Sequence, residues 1–251
     1  MEEWQQILRR YPSIETTCSI YDPKPDSFSF VRDPNTMLDV TCRREFRIPK
    51  RVVVVAPHVE RQALPTGWMY EMVDSPDYTF TMIHNFLAAA TCPTENVIGS
   101  GCVVHPTAVL DVEGLHVTKS PDGRPVQMRH VGNVVLEDDV SILALATIQR
   151  AVFGSTILRR GVRIDSHVNV GHNSDIGENT VIALGTVVGG SVKMGKNCMI
   201  GLGCVIRNGV SICDNVIVGM GSLVVRDITE SGIYKGCPAK LHKPYEKGWN
   251  F

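Results

Sequence analysis

The chain has 251 residues with a formal net charge of -1, of which 43% are hydrophobic and only 6% are aromatic. A near-neutral chain without a basic stripe is not the kind that binds nucleic acids. The 22 glycines and the many Val and Ile residues indicate a β-rich, repetitive structure.

The first part of the chain, residues 1–92, predicts a small α/β domain. The segment MEEWQQILRRY reads as an amphipathic helix, SFSFVRD and RVVVVAP as strands, and TFTMIHNFLAAAT as a second helix. The charged N-terminus lacks the apolar core of a signal peptide, and no segment approaches the roughly 20 apolar residues of a membrane span. We therefore expect a cytoplasmic protein whose cysteines are reduced thiols.

A six-residue register begins after this domain and is interrupted twice. Aliphatic residues at Ile98, Val104 and Leu110 begin it, and Leu136, Ile142 and Ile148 continue it. Between them, residues 111–130 are rich in Pro, Gly and charged residues, which predicts an extruded loop. After Ile148, the next aliphatic position of the register is Leu158, so four residues beyond the six-residue spacing are inserted between them.

From Leu158 onward the repeat is uninterrupted. Every sixth residue is aliphatic or Met, at Leu158, Ile164, Val170, Ile176, Ile182, Val188, Met194, Ile200, Ile206, Ile212, Val218 and Val224. A second column of small or β-branched residues follows four positions later, at Val162, Val168, Ser174, Thr180, Thr186, Val192, Cys198, Cys204, Val210, Val216 and Ser222.

This pattern predicts a parallel β-helix from residue 158 to about 227. One apolar and one small side chain of each hexad point into a narrow interior, and three hexads close a triangular coil of 18 residues. With the interrupted turns included, the β-helix domain spans residues 93–229, and residues 230–251 form a C-terminal tail.

Four segments carry a resemblance to a known family. The runs IGSGCVVHPTAVLDVEGL, RIDSHVNVGHNSDIGENTVIA, GGSVKMGKNCMIG and ICDNVIVGMGSLVVRDITESGIYKGCPA resemble the UDP-acylglucosamine N-acyltransferases of the lipid A pathway, over about residues 98–240. The resemblance implies a mainly β fold: a left-handed coil, the small N-terminal α/β domain, and assembly as a homotrimer. It also implies a role in lipopolysaccharide or surface polysaccharide synthesis.

The resemblance assigns the site residues as well. The GHN motif gives His172 as the general base, with Asp165 expected to orient its imidazole and Asp175 as the other candidate. Histidine suits proton transfer near neutral pH. For the nucleotide sugar, the segment SFSFVRDPN implies Phe30 and Asp33, and the GHN region adds His167 and Asn173 as substrate-binding residues.

The chain departs from the family at several substrate-specific positions. Gly209 stands where a second histidine is expected, Gln149-Arg150-Ala151 where the family has Asp-Arg-Gly, and Thr36 where it has a second aromatic residue. The segment GCPAK resembles the endings of enzymes that use acetyl-CoA. We therefore expect an N-acetyltransferase that uses acetyl-CoA, or another acyl thioester, on a nucleotide-linked amino sugar. The alternative is an N-acyltransferase of the lipid A type that depends on acyl carrier protein.

The donor is expected to lie along the coil. Gly185, Gly203 and Gly221 are spaced 18 residues apart and leave room for a pantetheine arm, while Lys235 and Lys240 are candidates for contacts with its phosphates. Each feature has an ordinary structural explanation too: the glycines suit tight turns, and the lysines suit a solvated surface. No permanently bound cofactor or metal is expected.

Two other functional classes remain open. His167 and His172, with His130 upstream, resemble the zinc ligands of hexapeptide-repeat carbonic anhydrases, in which three histidines and a water make a catalytic site between subunits. The broken register before Leu158 disturbs the path from His130 to this pair. A non-catalytic scaffold is the remaining hypothesis.

Overall fold

The computed structural model describes residues 2–14, 16–17, 27–31, 51–55, 69–90 and 93–244. The chain divides into two compact units. One consists of Met1–Cys92 together with Leu115–Arg129, and the other of Pro93–Gly114 together with His130–Phe251. The excursion that interrupts the early coil therefore groups with the N-terminal unit.

The N-terminal unit contains a parallel sheet and two helices. The four described strands lie side by side in chain order, at Thr16–Thr17, Ser27–Val31, Arg51–Val55 and Met69–Met72. Helix α1 spans Glu3–Arg10 and begins with a capping box at Glu2, and helix α2 spans Pro76–Ala88 with Pro76 in its first turn. The core of the unit is apolar and fully buried, at Phe28, Val52, Val53, Phe80 and Ile83.

The excursion is a β-hairpin held by α2. Its strands, Val117–Lys119 and Pro125–Gln127, pair antiparallel. The side chain of Asn85 accepts a hydrogen bond from the Arg129 N–H (3.0 Å) and donates one to the Gln127 carbonyl (2.8 Å). His84 lies between the Thr17 hydroxyl and the Arg129 carbonyl, and burial lowers the pKa of its imidazole. The expected extruded loop is therefore an ordered hairpin.

The second unit is a left-handed parallel β-helix with three faces, as predicted. The first face is built from Val97–Ile98, Asn133–Leu136, Ser155–Leu158, Asp175–Ile176, Lys193–Met194 and Ser211–Ile212. The second contains Val103–Val104, Ser141–Ile142, Arg163–Ile164, Val181–Ile182, Met199–Ile200 and Val216–Val218. The third contains Val109–Val112, Thr147–Gln149, Asn169–Val170, Val187–Val188, Val205–Ile206 and Leu223–Val224.

The six-residue columns form the interior of this coil. Every residue of the aliphatic column from Leu158 to Val224 is buried, and so is every residue of the small column from Val162 to Ser222. The buried hydroxyls are satisfied by the next turn of the coil, since Ser174, Thr180 and Thr186 each donate to a backbone carbonyl there. At the open N-terminal end, Ile98 is exposed because no turn covers it.

The segment after the last complete turn continues the coil instead of leaving it as a tail. Gly232–Lys235 adds in parallel to the second face, beside Val216–Val218. Lys240–Pro244 then pairs antiparallel with Gly232–Lys235. The predicted tail therefore covers the C-terminal end of the interior. Neither helix in the described part of the chain is long and apolar enough to cross a membrane.

Candidate functional site

His172 lies at the corner where the third face turns into the first. It follows the strand Asn169–Val170 and precedes Asp175–Ile176, and its side chain is half-buried. The corner turns sharply at Asn173, whose φ of 59° lies in the left-handed region that Asn tolerates better than most residues. The repeat thus directs His172 out of the coil, as the sequence predicted.

Asn173 fixes the orientation of the His172 ring. Its Nδ2 donates to the Phe153 carbonyl (2.7 Å), and its Oδ1 accepts from the Val152 N–H (2.9 Å). These two bonds determine which end of the amide is oxygen. Oδ1 also lies 3.1 Å from His172 Nδ1, so Nδ1 must carry the proton and donate it. In this tautomer of the neutral ring, Nε2 is the basic atom.

The four extra residues before Leu158 serve this arrangement. They include Val152 and Phe153, whose backbone groups hold the Asn173 amide. The Asn173 N–H in turn donates to the Thr156 hydroxyl at 2.8 Å. The side chain of Asn173, a predicted substrate-binding residue, thus contacts Val152, Phe153 and His172 within the chain.

The next turn of the coil supports one face of the imidazole. A Cβ atom at Gly190 would lie 2.6 Å from Nε2 of His172 and 2.9 Å from both Cδ2 and Cε1. These nearly equal distances mean that the ring lies flat against the glycine backbone. The side chain of Gln149 accepts a hydrogen bond from the His172 N–H at 3.2 Å.

A second histidine completes the surroundings of His172. The ring of His130 lies edge-to-face with that of His172, with centroids 5.2 Å apart and an interplanar angle of 82°. His130 is 1% exposed. In the sequence, His130 is only an upstream candidate zinc ligand, and no sequence pattern predicts its contact with the expected base.

A buried ion pair lies beside this corner. Arg150 is 8% exposed and pairs with the carboxylate of Asp111, while its Nε donates to the Asp111 carbonyl at 3.1 Å. Asp111 has a φ of 74°, so the strand Val109–Val112 is distorted where it meets Arg150. The pair fixes the backbone at the point where the chain departs toward the hairpin.

The structure does not give Asp165 the expected orienting role within the chain. Asp165 follows the strand Arg163–Ile164 at the corner between the second and third faces, one corner before His172. Its carboxylate accepts from the N–H groups of Ser166 (2.7 Å) and Leu184 (3.1 Å). Capping those amides is its structural role here.

Asp175, the other candidate, is engaged by Arg159. The guanidinium donates to both carboxylate oxygens at 2.8 and 2.9 Å and also contacts Glu137. The hydrogen bonds that Arg159 donates to Asp175, and then the one that it donates to Glu137, raise the pKa of its guanidinium. Asn173, by contrast, lies within hydrogen-bond distance of the His172 imidazole.

The remaining predicted residues lie at other positions. Gly185, Gly203 and Gly221 form one line at the corner between the second and third faces, with φ of 63° to 71° and open space where a Cβ would be. Lys235 and Lys240 are directly opposite each other at the end of the coil, and both are exposed. For Phe30 only the backbone, in the strand Ser27–Val31, is described, and Asp33 and Thr36 lie outside the described residues.

The three histidines of the zinc hypothesis lie at two different corners of the coil. His167 is exposed at the corner that carries the glycine line, with a φ of 58°, whereas His130 and His172 meet one corner later. Within the described ranges, no group of three or more His, Cys, Asp or Glu side chains is placed to hold a metal ion. A zinc site shared between subunits stays a hypothesis.

A family model and two curated relatives match parts of this chain. A family model described as the hexapeptide repeat of succinyl-transferase matches residues 191–226. A UDP-3-O-acylglucosamine N-acyltransferase of Christiangramia forsetii is 50% identical over 141 residues, which cover 56% of this chain and 41% of that protein. A second enzyme of that name, from Sulfurimonas denitrificans, is 34% identical over 136 residues, covering 54% and 43%.

A solved structure shows the same fold. The UDP-N-acetylglucosamine O-acyltransferase of Moraxella catarrhalis superposes with a TM-score of 0.55 at 18% identity, covering 81% of this chain and 71% of that one. The matched region spans only about two fifths of the two sequence relatives' length. Together, these matches confirm the predicted resemblance to hexapeptide-repeat acyltransferases of the lipid A pathway.

Proposed function

We propose that this chain, a hexapeptide-repeat protein related to the acyltransferases of lipid A synthesis, transfers an acyl group from a thioester to the amino group of a UDP-linked 3-O-acylglucosamine. The acceptor follows from the names of the two sequence relatives. The observation that carries the proposal is the anchored imidazole of His172, whose Nδ1–H is held by Asn173 and whose Nε2 is therefore the base.

The chemistry requires one group that accepts a proton. The amine nitrogen attacks the thioester carbonyl, the new C–N bond forms, and the C–S bond breaks to release a thiol. His172 Nε2 takes the proton that the nitrogen loses, and the imidazolium returns it to the departing sulfur. A positioned base typically contributes about 10²- to 10⁴-fold to the rate. Such a base needs a fixed ring, which Asn173 and Gly190 provide.

The relatives favour the alternative donor over the expected one. The expectation of acetyl-CoA rests on the segment GCPAK, whereas the two sequence relatives are named UDP-3-O-acylglucosamine N-acyltransferases. We therefore assign the donor as an acyl thioester on acyl carrier protein, with coenzyme A as the second candidate. The glycine line and the two terminal lysines remain the proposed donor contacts, and Phe30, Asp33 and His167 the proposed sugar-nucleotide contacts.

The arrangement of the corners favours an assembly of copies. The glycine line and His172 occupy different corners of one coil. A donor that lies along the glycines of one copy reaches a base at a neighbouring copy's corner when coils pack side by side. We propose a homotrimer on this ground and on the resemblance.

A thiol-release assay tests the proposal. Acetyl-CoA, a long-chain acyl-CoA and the matching acyl carrier protein thioester are offered with UDP-3-O-acylglucosamine, and product formation is followed by mass spectrometry. The matched control acceptor is the same sugar with its amine already acetylated. Turnover that requires the free amine supports the proposal. Thiol release that is equal with the blocked acceptor, or absent with every donor, contradicts it.

A further inference from the structure

The chain leaves and re-enters the second unit beside the candidate base. It leaves the second unit after Gly114 and returns at His130. A Cβ atom at Gly114 would lie 3.1 Å from Cδ2 of His172 and 3.2 Å from Nε2 of His130. Both ends of the insertion therefore meet at the His172 imidazole.

The two ends contact the ring in different ways. At Gly114 the backbone approaches closely, because a Cβ there would also lie 2.6 Å from Oε1 of Gln149, the group that holds the His172 N–H. At His130 the contact is an aromatic one, and its centroid distance of 5.2 Å and angle of 82° match the preferred edge-to-face geometry of ring pairs.

The returning end is held rigidly. Its carbonyl at His130 accepts from Nη1 of the buried Arg150 at 3.5 Å, and the same guanidinium is paired with Asp111. The His130 ring is almost completely excluded from solvent. A buried ring on an anchored backbone is a fixed surface, whereas a half-buried ring alone can change its side-chain torsion angles.

Three surfaces together define the position of the imidazole. Asn173 holds Nδ1, Gly190 supports one face, and the ring of His130 packs against it at a right angle. The ring of His130 thus adds a flat, buried surface at a right angle to the two contacts that Asn173 and Gly190 make with the imidazole.

We propose that His130 is a positioning residue: its ring holds the His172 imidazole in the orientation that base catalysis needs. This inference rests on the proposed function of His172. In this proposal His130 acts through the shape of its planar ring. It takes no part in proton transfer.

Substitutions at His130 distinguish the effect of a planar ring from the effect of the histidine nitrogen atoms. His130→Ala removes the ring and is expected to lower kcat by about 10-fold or more with KM within about 2-fold, since small displacements of a reacting group cost rate more than binding. His130→Phe restores a planar ring without nitrogen atoms and is expected to keep kcat within about 3-fold of wild type. His130→Leu fills the volume without a flat ring and serves if the alanine variant does not fold.

Control variants exclude effects of the hairpin and of histidine loss in general. Asp122→Asn alters the hairpin tip, where Asp122 contacts Ser120 and Arg124, and His105→Ala removes an exposed histidine that contacts Thr107. Both are expected to leave kcat and KM unchanged.

A spectroscopic measurement reports the position of the base directly. Two-dimensional ¹⁵N–¹H spectra of labelled protein identify the tautomer of His172, which is expected to be Nδ1–H in wild type and His130→Phe. A mixture of tautomers is expected in His130→Ala and His130→Leu. Normal kcat and an unchanged tautomer in His130→Ala or, failing that, His130→Leu would overturn the proposal. An equally low kcat in His130→Phe and His130→Ala would overturn it as well.

The outcome is distinguishable from failure of the proposed function. If His172→Ala retains full activity, His172 is not the base and the proposed function itself fails. If His172→Ala is inactive while His130→Ala is normal, only the role of His130 is rejected.

Discussion

The Nδ1 atom of His172 and the Oδ1 atom of Asn173 lie 3.1 Å apart, and the other bonds of that amide leave Oδ1 only the role of acceptor. We expect Asn173→Ala to lower kcat by about 10- to 100-fold, because the ring loses the partner that fixes its tautomer and its orientation. Steady-state kinetics of the folded variant measure this effect.

Asn179→Ala is the matched control for that variant. Asn179 has a φ of 57°, close to the 59° of Asn173, but lies at another corner of the coil. Both substitutions place Ala in the left-handed region, at a cost of about 1–2 kcal/mol. Equal losses of kcat in the two variants would mean that the coil geometry, and not the hydrogen bond to His172, causes the effect.

Gly190→Ala is expected to reduce kcat with only a modest loss of stability. The new Cβ would lie 2.6 Å from Nε2 of His172, so the imidazole must move away from its position. A displacement of about 1 Å at a reacting group can cost 10²-fold in rate.

Gly177→Ala provides the comparison, because its Cβ would meet only the backbone of Gly195 and Lys196, at 2.4 to 2.6 Å. This variant is expected to lose thermal stability while the folded fraction keeps its kcat. If Gly190→Ala behaves in the same way, the face-on contact with His172 has no catalytic consequence.

The stability of the coil should fall in alkaline solution because of Cys198. Burial raises the pKa of this thiol from 9.0 to about 11. The unfolded chain loses the proton near pH 9 while the folded chain keeps it, so the stabilisation is complete below that pH and is lost as the pH rises toward 11. Two pKa units correspond to about 2–3 kcal/mol at 1.36 kcal/mol per unit.

Thermal unfolding in reducing buffer between pH 8 and pH 10.5 measures this loss. Cys198→Val is the control, since Val occupies the same inward column at Val192 and Val210. The variant should show a smaller decline, and some should remain because burial also raises the pKa of Cys204 and Cys213. An identical decline in both proteins would show that Cys198 does not contribute.

The sequence predicted those parts of the structure that depend on the six-residue repeat. A spacing of six determines which side chains enter the coil, so the buried column from Leu158 to Val224 and the outward position of His172 could both be predicted. The same reasoning correctly placed Gly185, Gly203 and Gly221 on one line. Each of these statements needs only the register of neighbouring turns.

The contacts of the His172 ring could not be predicted in this way. His130 reaches it because an insertion leaves and re-enters the coil at one corner, and Phe153 reaches Asn173 because four extra residues bulge there. Both contacts depend on where the irregular segments re-enter the coil, and the six-residue repeat does not determine those positions. Asp165 lies one corner before His172 in the same chain, and a count of corners along the register predicts that separation. A role of Asp165 toward His172 stays a prediction.

The register itself is tested by a charge placed in the interior. Ile200 is 0% exposed and lies in the aliphatic column, so Ile200→Asp would bury an unpaired carboxylate. We expect no folded protein from this variant. Lys193→Asp puts the same group at an exposed position of a neighbouring turn and should fold normally. Soluble Ile200→Asp protein with a native circular dichroism spectrum would contradict the assigned register.

The most direct test of the central claim is single-turnover acyl transfer by His172→Ala on UDP-3-O-acylglucosamine, with Asn179→Ala as the reference for an equally folded coil. Because a positioned base contributes about 10²- to 10⁴-fold, the His172 variant should form N-acyl product at least about 100-fold more slowly than wild type at saturating substrates. A rate within a few-fold of wild type, from protein with an unchanged thermal midpoint, would show that His172 is not the base.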